Sequence, residues 1–467
     1  MTGLGKELPV GVHTYDLVIV GAGSGNYLPA GEMGGWRIAV VEADRFGGTC
    51  LNRGCIPSKM LVHTADVALT IQHAARFGLA AEWGGADWPA IRDRVFARID
   101  PLHGRAVAHR QARGVDVFLG EARFVGPKAL QVGDDELRAD RFVLASGSRP
   151  HIPPVPGLAG VAYLTSDTVM RIDTLPRSMI VLGGGYVAAE MSHIFGSLGT
   201  DVTIVTRGEH LLSRHDTEIR ASFTECYAAR FDLRLGSTVD RVSATGTGVR
   251  LDLATPSGAQ VAEADVLLVA TGRAPNSDRL DVAAAGLEVD AHGHVRTDAT
   301  NATNVPGIWA LGDLANHMQL KHMANAEARL VRYNVVHPGQ PRQAPRWIVP
   351  SAVFGHPQVA SVGATEQALQ AQRRDYVTAT RAYRETAYGW ALEDTTSFVK
   401  VLADPATRLL LGAHLIGPQA STIIQPLIQA MCLGNTVDQV ATDVLYIHPA
   451  LTEVVEQALL KLPAPTT

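Results

Sequence analysis

The sequence predicts an α/β protein: two doubly wound parallel units followed by an α+β C-terminal unit. Three observations carry this expectation. The runs YDLVIVG (15–21) and WRIAVVE (36–42) outline strand, glycine turn, helix and strand. RSMIVLGGGYVAAEMSHIFGSLGTDVTIVTR (177–207) repeats that plan much later. Beyond PGQPRQAP (338–345), which reads as a linker, the pattern changes to isolated strands and two helical stretches.

At 467 residues the chain exceeds what one hydrophobic core supports, so two to four domains are expected. A formal net charge of -5 leaves no sequence-wide basic footprint for nucleic acid. The opening MTGLGKELPVGVHTYD lacks the charged and apolar regions of a secretory signal. No apolar run approaches the roughly 18 residues that a membrane span needs. A soluble cytoplasmic protein is therefore expected, in a compartment where structural disulfides are rare.

The elements follow in order. After the first strand–turn–strand, RFVLASGSRP (141–150) is a strand leaving for HIPPVPGLAG, a Gly/Pro-rich domain crossing. DVLLVATGRAPN (265–276) echoes it, and TNVPGIWALGD (303–313) is a short strand ending in an acid. In the terminal part TSFVKVLA and LLGAHLIG read as strands, and STIIQPLIQAMCL and TEVVEQALLKL as helices. The apolar faces of those helices suit either a core or a second copy of the chain.

The first glycine turn is Gly21-Ala22-Gly23-Ser24-Gly25-Asn26. Gly21 makes the tight turn and Gly23 lets backbone approach a pyrophosphate, while Asn26 stands where a third glycine is usual. Glu42, at the end of the next strand, is placed to accept hydrogen bonds from a ribose. The second turn, Gly183-Gly184-Gly185-Tyr186-Val187-Ala188, has the GxGxxA pattern of a Rossmann unit. Its following strand ends in Thr206-Arg207, with Arg214 further on and no acid for a 2′-hydroxyl. Arginine suits a 2′-phosphate, which favours NADPH over NADH. Two dinucleotide sites in one chain suggest a resident flavin and a visiting nicotinamide.

Cys50 and Cys55 are two of only four cysteines. A zinc half-site spaces its thiols two to four residues apart and needs a second ligand pair. Cys226 and Cys432 are isolated and read as small core residues. On a regular helix an i, i+5 pair is separated by about 7.5 Å of rise alone. A disulfide tolerates roughly 7 Å between Cα atoms, so a bridge needs an irregular turn, which Gly54 permits. A helix N-terminus lowers thiol pKa, and Arg53 acts the same way if it points inward. With two nucleotide sites in the chain, a redox pair is favoured over inert thiols. Near the end stands His448-Pro449-Ala450-Leu451-Thr452-Glu453, in which Pro449 suits a helix start. A carboxylate that orients an imidazole, here Glu453 on His448, makes a tuned acid/base.

The stretches GGTCLNRGCIPSK, ATGRAPN, TNVPGIWALGD and HPALTE occur in the order and spacing of the pyridine nucleotide-disulfide reductases, and the chain resembles that family over its whole length. GAGSGN, SRPHIPPVPG, TSDTVMRI, AYGWALEDT, IIQPLIQAM and IHPALTEVVE are similar to its mycothione-reducing branch, as is Asn26. The tail KLPAPTT has no cysteine pair, unlike large thioredoxin reductases and mercuric reductase.

The resemblance implies FAD and NADPH as cofactors. It assigns residues 1–149 and 273–345 to FAD, 150–272 to NADPH and 346–467 to a dimerisation interface. It places the FAD pyrophosphate at Gly21, Gly23, Ser24 and Gly25, the ribose on Glu42, and Asp313 and the segment around His322 at the rest of that site. Gly48, Thr49, Ala122, Ser146 and Gly147 join the cofactor-binding set, as do Gly183, Gly185, Tyr186 and Val187. Arg207, Arg214, Gly272 and Arg273 complete it. Lys59 and Glu190 are expected to pair near the reactive nitrogen of the flavin. Cys55 matches the thiol against the flavin and Cys50 the one that attacks substrate. His448, held by Glu453 and supplied by the other subunit of a homodimer, would protonate the departing thiol. The implied activity is NADPH-dependent reduction of mycothione to two mycothiols through a Cys50–Cys55 disulfide. NAD-linked dihydrolipoamide dehydrogenase and a glutathione-reductase-like enzyme are the alternatives. A non-catalytic flavoprotein, or a flavin oxidase, leaves the cysteines or His448 and Glu453 unexplained.

Overall fold

The computed structural model describes residues 11–27 and 31–464. The N-terminal residues 1–10, residues 28–30 beside the first glycine turn, and the last three residues of KLPAPTT lie outside the described residues.

Apolar runs fully buried on both faces form parallel strands, because helices and loops cover both sides of such a sheet. The first sheet has seven strands. Its parallel part runs Val115–Leu119, Ile38–Glu42, Val12–Val20, Asp135–Leu144, Ile308–Ala310. Ala129–Val132 and Ala122–Gly126 extend it as an antiparallel flap. The helix Lys321–Val336 returns to this unit and buries Ala328, Val331 and Val335 against Leu17, Ile19 and Val40.

The second sheet is parallel throughout, in the order Asp232–Arg234, Asp201–Val205, Ser178–Leu182, Val266–Val269. A three-stranded antiparallel sheet, Thr238–Ala244, Val249–Thr255 and Gly258–Ala264, packs Val242, Leu251 and Leu253 onto its Ile180, Val205 and Val269. The two echoing segments of the sequence meet: Ser148–Pro150 pairs antiparallel with Arg273–Pro275, so both crossings between the sheets run as one ribbon. The last sheet is antiparallel, in the order Ser351–Val353, Val359–Gly363, Leu410–Ile416, Phe398–Ala403, Val377–Ala382. The helix Glu453–Leu460 buries Val454, Val455, Ala458 and Leu459 against it. One apolar cluster then joins all three units, with Leu61 and Val62, Ile194 and Phe195, and Val353, Val359 and Ile416.

Several expectations are corrected. After the first glycine turn the described residues form only single 3-10 turns, Gly25–Tyr27 and Gly31–Met33, in a stretch broken by Gly34 and Gly35. The stretch 421–433 divides at Ile424 into Ala420–Ile423 and Gln425–Leu433, with Pro426 in the first turn of the second helix. Cys432 is exposed on that helix beside Leu433, so it is not a core residue, and Cys226 is only half-buried. Pro449 does not begin the last helix. Turn hydrogen bonds from Ala450 N–H to Ile447 O and Glu453 N–H to Ala450 O delay its start to Glu453.

The second and third units are locked by one buried cation. Lys400, 1 % exposed, donates to Asp216 Oδ1 at 3.0 Å, Glu218 Oε1 at 2.9 Å and Glu366 Oε2 at 2.5 Å. Asp216 caps the helix Thr217–Ala228 and is itself fully buried. Burial opposes its ionisation, but the Glu366 N–H and the Lys400 ammonium hold its pKa below the usual value. Removing one partner of a buried pair leaves an uncompensated charge. Lys400→Met is therefore expected to lose about 3–5 kcal/mol of stability in chemical denaturation at neutral pH. A carboxyl with a depressed pKa contributes stability above its unfolded pKa and loses it in acid. The gap between variant and parent should accordingly narrow toward about pH 4, where protonation of Asp216 relieves the variant and weakens the parent.

Candidate active site

Both glycine turns are built the same way. Gly21 has φ +102°, its N–H donates to Val41 O at 2.8 Å, and a Cβ there would lie 2.2 Å from Ala145 O. Gly183 has φ +138°, its N–H donates to Val205 O at 2.9 Å, and a Cβ would lie 2.3 Å from Ala270 O. Each first glycine thus sits where three strands converge, too tightly for any side chain.

Glu42 is anchored rather than free. Oε2 accepts from Ala22 N–H at 2.7 Å and Oε1 from Asp44 N–H at 3.0 Å, and burial raises its pKa. The glycine turn also touches the cysteine motif. Gly48, at φ +60°, packs on Gly23, and a Cβ on Gly48 would come within 2.8 Å of Gly23 Cα. Ser24 Oγ lies 3.2 Å from Asn325 Oδ1 and 3.1 Å from Lys321 Nζ. The next helical residue, His322, faces elsewhere, with Nε2 2.8 Å from Pro350 O.

Asp313 belongs to a tight polar group. Its Oδ2 accepts from Ser148 Oγ at 2.6 Å, and Arg273 donates to Ser148 Oγ and Ser148 O at 2.7 Å each. Arg273, with a side chain 8 % exposed, is an internal residue lying 3.9 Å from Asp313. Glu327 holds the same turn by accepting from Gly312 N–H at 2.6 Å, and burial pushes its pKa up to about 7. Beside Gly21, the buried Ser146 Oγ has no hydrogen-bond partner among the described residues. An orphaned hydroxyl at the carboxyl end of a parallel strand, next to a glycine turn, fits a dinucleotide phosphate group. Gly147, the next residue, has φ +67°, and Ala122 is half-buried at the start of the antiparallel flap.

The cysteines stand on either side of a helix break. Gly48–Arg53 and Cys55–Gln72 are separate helices, and a Cβ on Gly54 between them would lie 3.0 Å from the carbonyl oxygen of Thr49. The irregular turn that the i, i+5 spacing requires is therefore present. Buried Asn52 pins it by donating to Arg45 O, Phe46 O and Gly48 O at 3.2, 3.1 and 2.9 Å. Arg53 points away from the thiols, into ion pairs with Asp44 and Asp167.

Both cysteines are thiols. A hydrogen bond from Cys55 lowers the pKa of Cys50 to about 7, aided by the Lys321 charge and opposed by burial. The same bond, with burial, raises Cys55 far above the thiol range. Of the two thiols, Cys50 is thus the more readily ionised.

Lys59 and Glu190 sit on two sides of Phe354, with no ion pair within 4 Å joining them. The Lys59 ammonium lies 3.9 Å over the Phe354 ring, and the Phe354 N–H donates to Glu190 Oε1 at 3.1 Å. Burial raises the pKa of Glu190 and lowers that of Lys59. On the nucleotide side Tyr186 is 44 % exposed at the start of the helix Tyr186–Ser197, with Gly185 ahead of it and Val187 half-buried behind. Arg207 and Arg214 are exposed, and neither side chain makes a hydrogen bond or ion pair among the described residues. Gly272, at φ +120°, leads into the crossing ribbon. His448 Nδ1 lies 2.8 Å from Glu453 Oε1, with the imidazole 72 % and the carboxylate 12 % exposed. This pair packs within the C-terminal unit, apart from the cysteines.

Sequence reasoning passed over Asn52, Ser148, Lys321, Asn325, Glu327 and Phe354. Lys321 and Asn325 carried a signal, since i, i+4 spacing on a helix puts both on one face.

This arrangement, two glycine turns with a cysteine pair packed on the first, defines a nucleotide-linked disulfide oxidoreductase. The family model of pyridine nucleotide-disulphide oxidoreductases matches residues 15–328, and that of their dimerisation domain matches residues 349–459. The chain belongs to this family. It is 43 % identical over 463 residues to mycothione reductase of Mycobacterium tuberculosis, covering 97 % of this chain and 100 % of that protein. It is 32 % identical over 454 residues to dihydrolipoyl dehydrogenase of Halobacterium salinarum, covering 95 % of each. The solved flavoprotein disulfide reductase RclA from Escherichia coli superposes with a TM-score of 0.84 at 27 % identity, over 96 % of this chain and 100 % of that one. The chain is thus an oxidoreductase, and these likenesses imply FAD and NADPH as its cofactors. Among the described residues no helix is long and apolar enough to cross a membrane.

The Cys50 thiolate depends in part on the charge of Lys321. Lys321→Met is expected to raise the Cys50 pKa above about 7 and to slow its alkylation by iodoacetamide in the reduced enzyme at neutral pH. Alkylation rates measured from pH 6 to about 9 check this, and an unshifted profile in the variant would contradict it.

Proposed function

We propose that the chain reduces mycothione to two mycothiols at the expense of NADPH, through Cys50 and Cys55. The observation that carries this reading is the cysteine pair, Cys50 on one side of a helix break and Cys55 on the other, packed against the first glycine turn. The 43 % identity to mycothione reductase over nearly the whole chain supports the choice of substrate.

The residues divide the work as follows. Residues 1–149 and 273–345 hold FAD, with Gly21, Gly23 and Gly25 at the pyrophosphate, Glu42 toward the ribose, and Ser146 Oγ and Asp313 as further polar contacts. Residues 150–272 hold NADPH, with Arg207 and Arg214 at the 2′-phosphate, and residues 346–467 form the homodimer interface. Bound FAD supplies the route by which an electron pair from NADPH reaches the cysteine pair.

The reduced pair begins the exchange. The Cys50 thiolate attacks one sulfur of the substrate, forming a mixed disulfide and releasing the first mycothiol as a thiolate. His448, held by Glu453 in a second copy of the chain, donates the proton that this thiolate needs. Cys55 then gives up its proton and attacks Cys50 Sγ; the second mycothiol leaves as a thiolate and takes up that proton, and the Cys50–Cys55 disulfide forms. One dithiol is oxidised for each disulfide reduced. Lys321 holds the Cys50 negative charge before attack.

Steady-state assays pairing NADPH or NADH with mycothione, and NAD with dihydrolipoamide, test the reading. Preference for NADPH and mycothione is expected; preference for NAD and dihydrolipoamide would replace it with the lipoamide activity. Cys50→Ser should retain FAD and lose disulfide reduction. A charge-assisted hydrogen bond contributes about 1.5–3 kcal/mol. Replacing Arg207 and Arg214 together by alanine should therefore raise KM for NADPH at least about tenfold while kcat changes little.

A further inference from the structure

A cluster of imidazoles and a carboxylate lies outside the machinery described above. Asp290-Ala291-His292-Gly293-His294 is a closed turn in which Asp290 N–H donates to His294 O at 2.8 Å and Gly293 N–H to Asp290 O at 3.0 Å. Asp290 Oδ1 accepts from the N–H groups of His292 and His294 at 2.8 and 3.0 Å, which fixes the carboxylate. Its Oδ2 faces His317 Nε2 at 2.8 Å. His317 comes from the loop that follows Asp313, and its ring centroid is 4.1 Å from that of His294.

His294 is the informative member. It is 5 % exposed, and among the described residues neither ring nitrogen makes a short hydrogen bond, Nδ1 having only a long contact of 3.6 Å with Asp290 Oδ1. An unsatisfied buried polar group costs about 1–3 kcal/mol, so a purely structural histidine here is poorly explained. One ligand atom from each of Asp290, His294 and His317 lies within 4.8 Å of the others.

We propose that Asp290, His294 and His317 bind a divalent transition metal of the zinc class. Two imidazoles and one carboxylate are donors that Zn²⁺ accepts, and a fourth position is left to water. Zinc–ligand bonds of about 2.1 Å place tetrahedral ligands roughly 3.4 Å apart, so the widest separation in the cluster must close by up to about 1.4 Å. His317, 59 % exposed, is the side chain able to make that movement. The two N–H donors on Asp290 Oδ1 act as outer-shell partners that orient a ligand. The site joins the 290–294 turn to the segment carrying Asp313 and Lys321, which the Val295 N–H already touches through Leu314 O at 2.9 Å. Its role is to staple that segment.

The test is titration of the FAD-loaded full-length protein with zinc chloride by calorimetry, in a Cys50→Ser/Cys55→Ser/Cys432→Ser background that removes the paired thiols and the exposed one. One Zn²⁺ per chain is expected, together with a rise in thermal midpoint. His317→Ala, a surface change that leaves the fold intact, should weaken binding at least tenfold and abolish the rise. Asp290→Asn should weaken it as well. Failure of the parent to bind one Zn²⁺, or unchanged affinity in both variants, would overturn the proposal and leave His317–Asp290 as an ordinary ion pair.

Discussion

The site rests on a contact between two glycines. Gly23 in the first glycine turn and Gly48 ahead of the cysteines approach so closely that a Cβ on Gly48 would come within 2.8 Å of Gly23 Cα. Gly48 also needs φ +60°, which a side chain would strain. This contact holds the first glycine turn against the cysteine segment. The helix Cys55–Gln72 then carries that segment into the core shared with Ile194, Phe195 and Val353. Phe354 extends the same line, since its N–H meets Glu190 and its ring meets Lys59. A residue leading out of a strand of the C-terminal sheet thereby contacts both charged groups.

Within that frame the acidity of the thiols is a local matter. Arg53, adjacent in sequence, is occupied by Asp44 and Asp167. Lys321, far along the chain, supplies the charge instead, from a helix whose first turn reaches Ser24. Burial opposes ionisation at Cys50, yet the Cys55 hydrogen bond outweighs it. Two equal thiols are thus made unequal by geometry, which is what sequential exchange at two sulfurs requires.

The sequence made the local chemistry legible and left the long-range partners hidden. Gly21 and Gly183 announced strand crossings because only glycine fits beneath Ala145 O and Ala270 O. The i, i+5 cysteine spacing, incompatible with a regular helix, pointed to the break found at Gly54. The echo between 141–150 and 265–276 became a paired ribbon. Lys321, Ser148 and Phe354 could not be read this way. Their roles come from tertiary contacts that no local period encodes, and Lys321 was overshadowed by His322, which turns to Pro350 O. Cys432 failed for a related reason: lone cysteines are usually buried, but this one lies on a helix face that the chain leaves uncovered.

A second exposed region lies around His448 and Glu453, which form a hydrogen-bonded couple. Beside them Leu445 is 95 % and Ile447 76 % exposed, large apolar side chains that water penalises unless something covers them. The surrounding residues 349–459 match a dimerisation domain. A second copy covering this apolar patch would remove that cost, and a twofold interface presents the same surface twice, so the exposed His448 imidazole of each copy would then face the opposite chain.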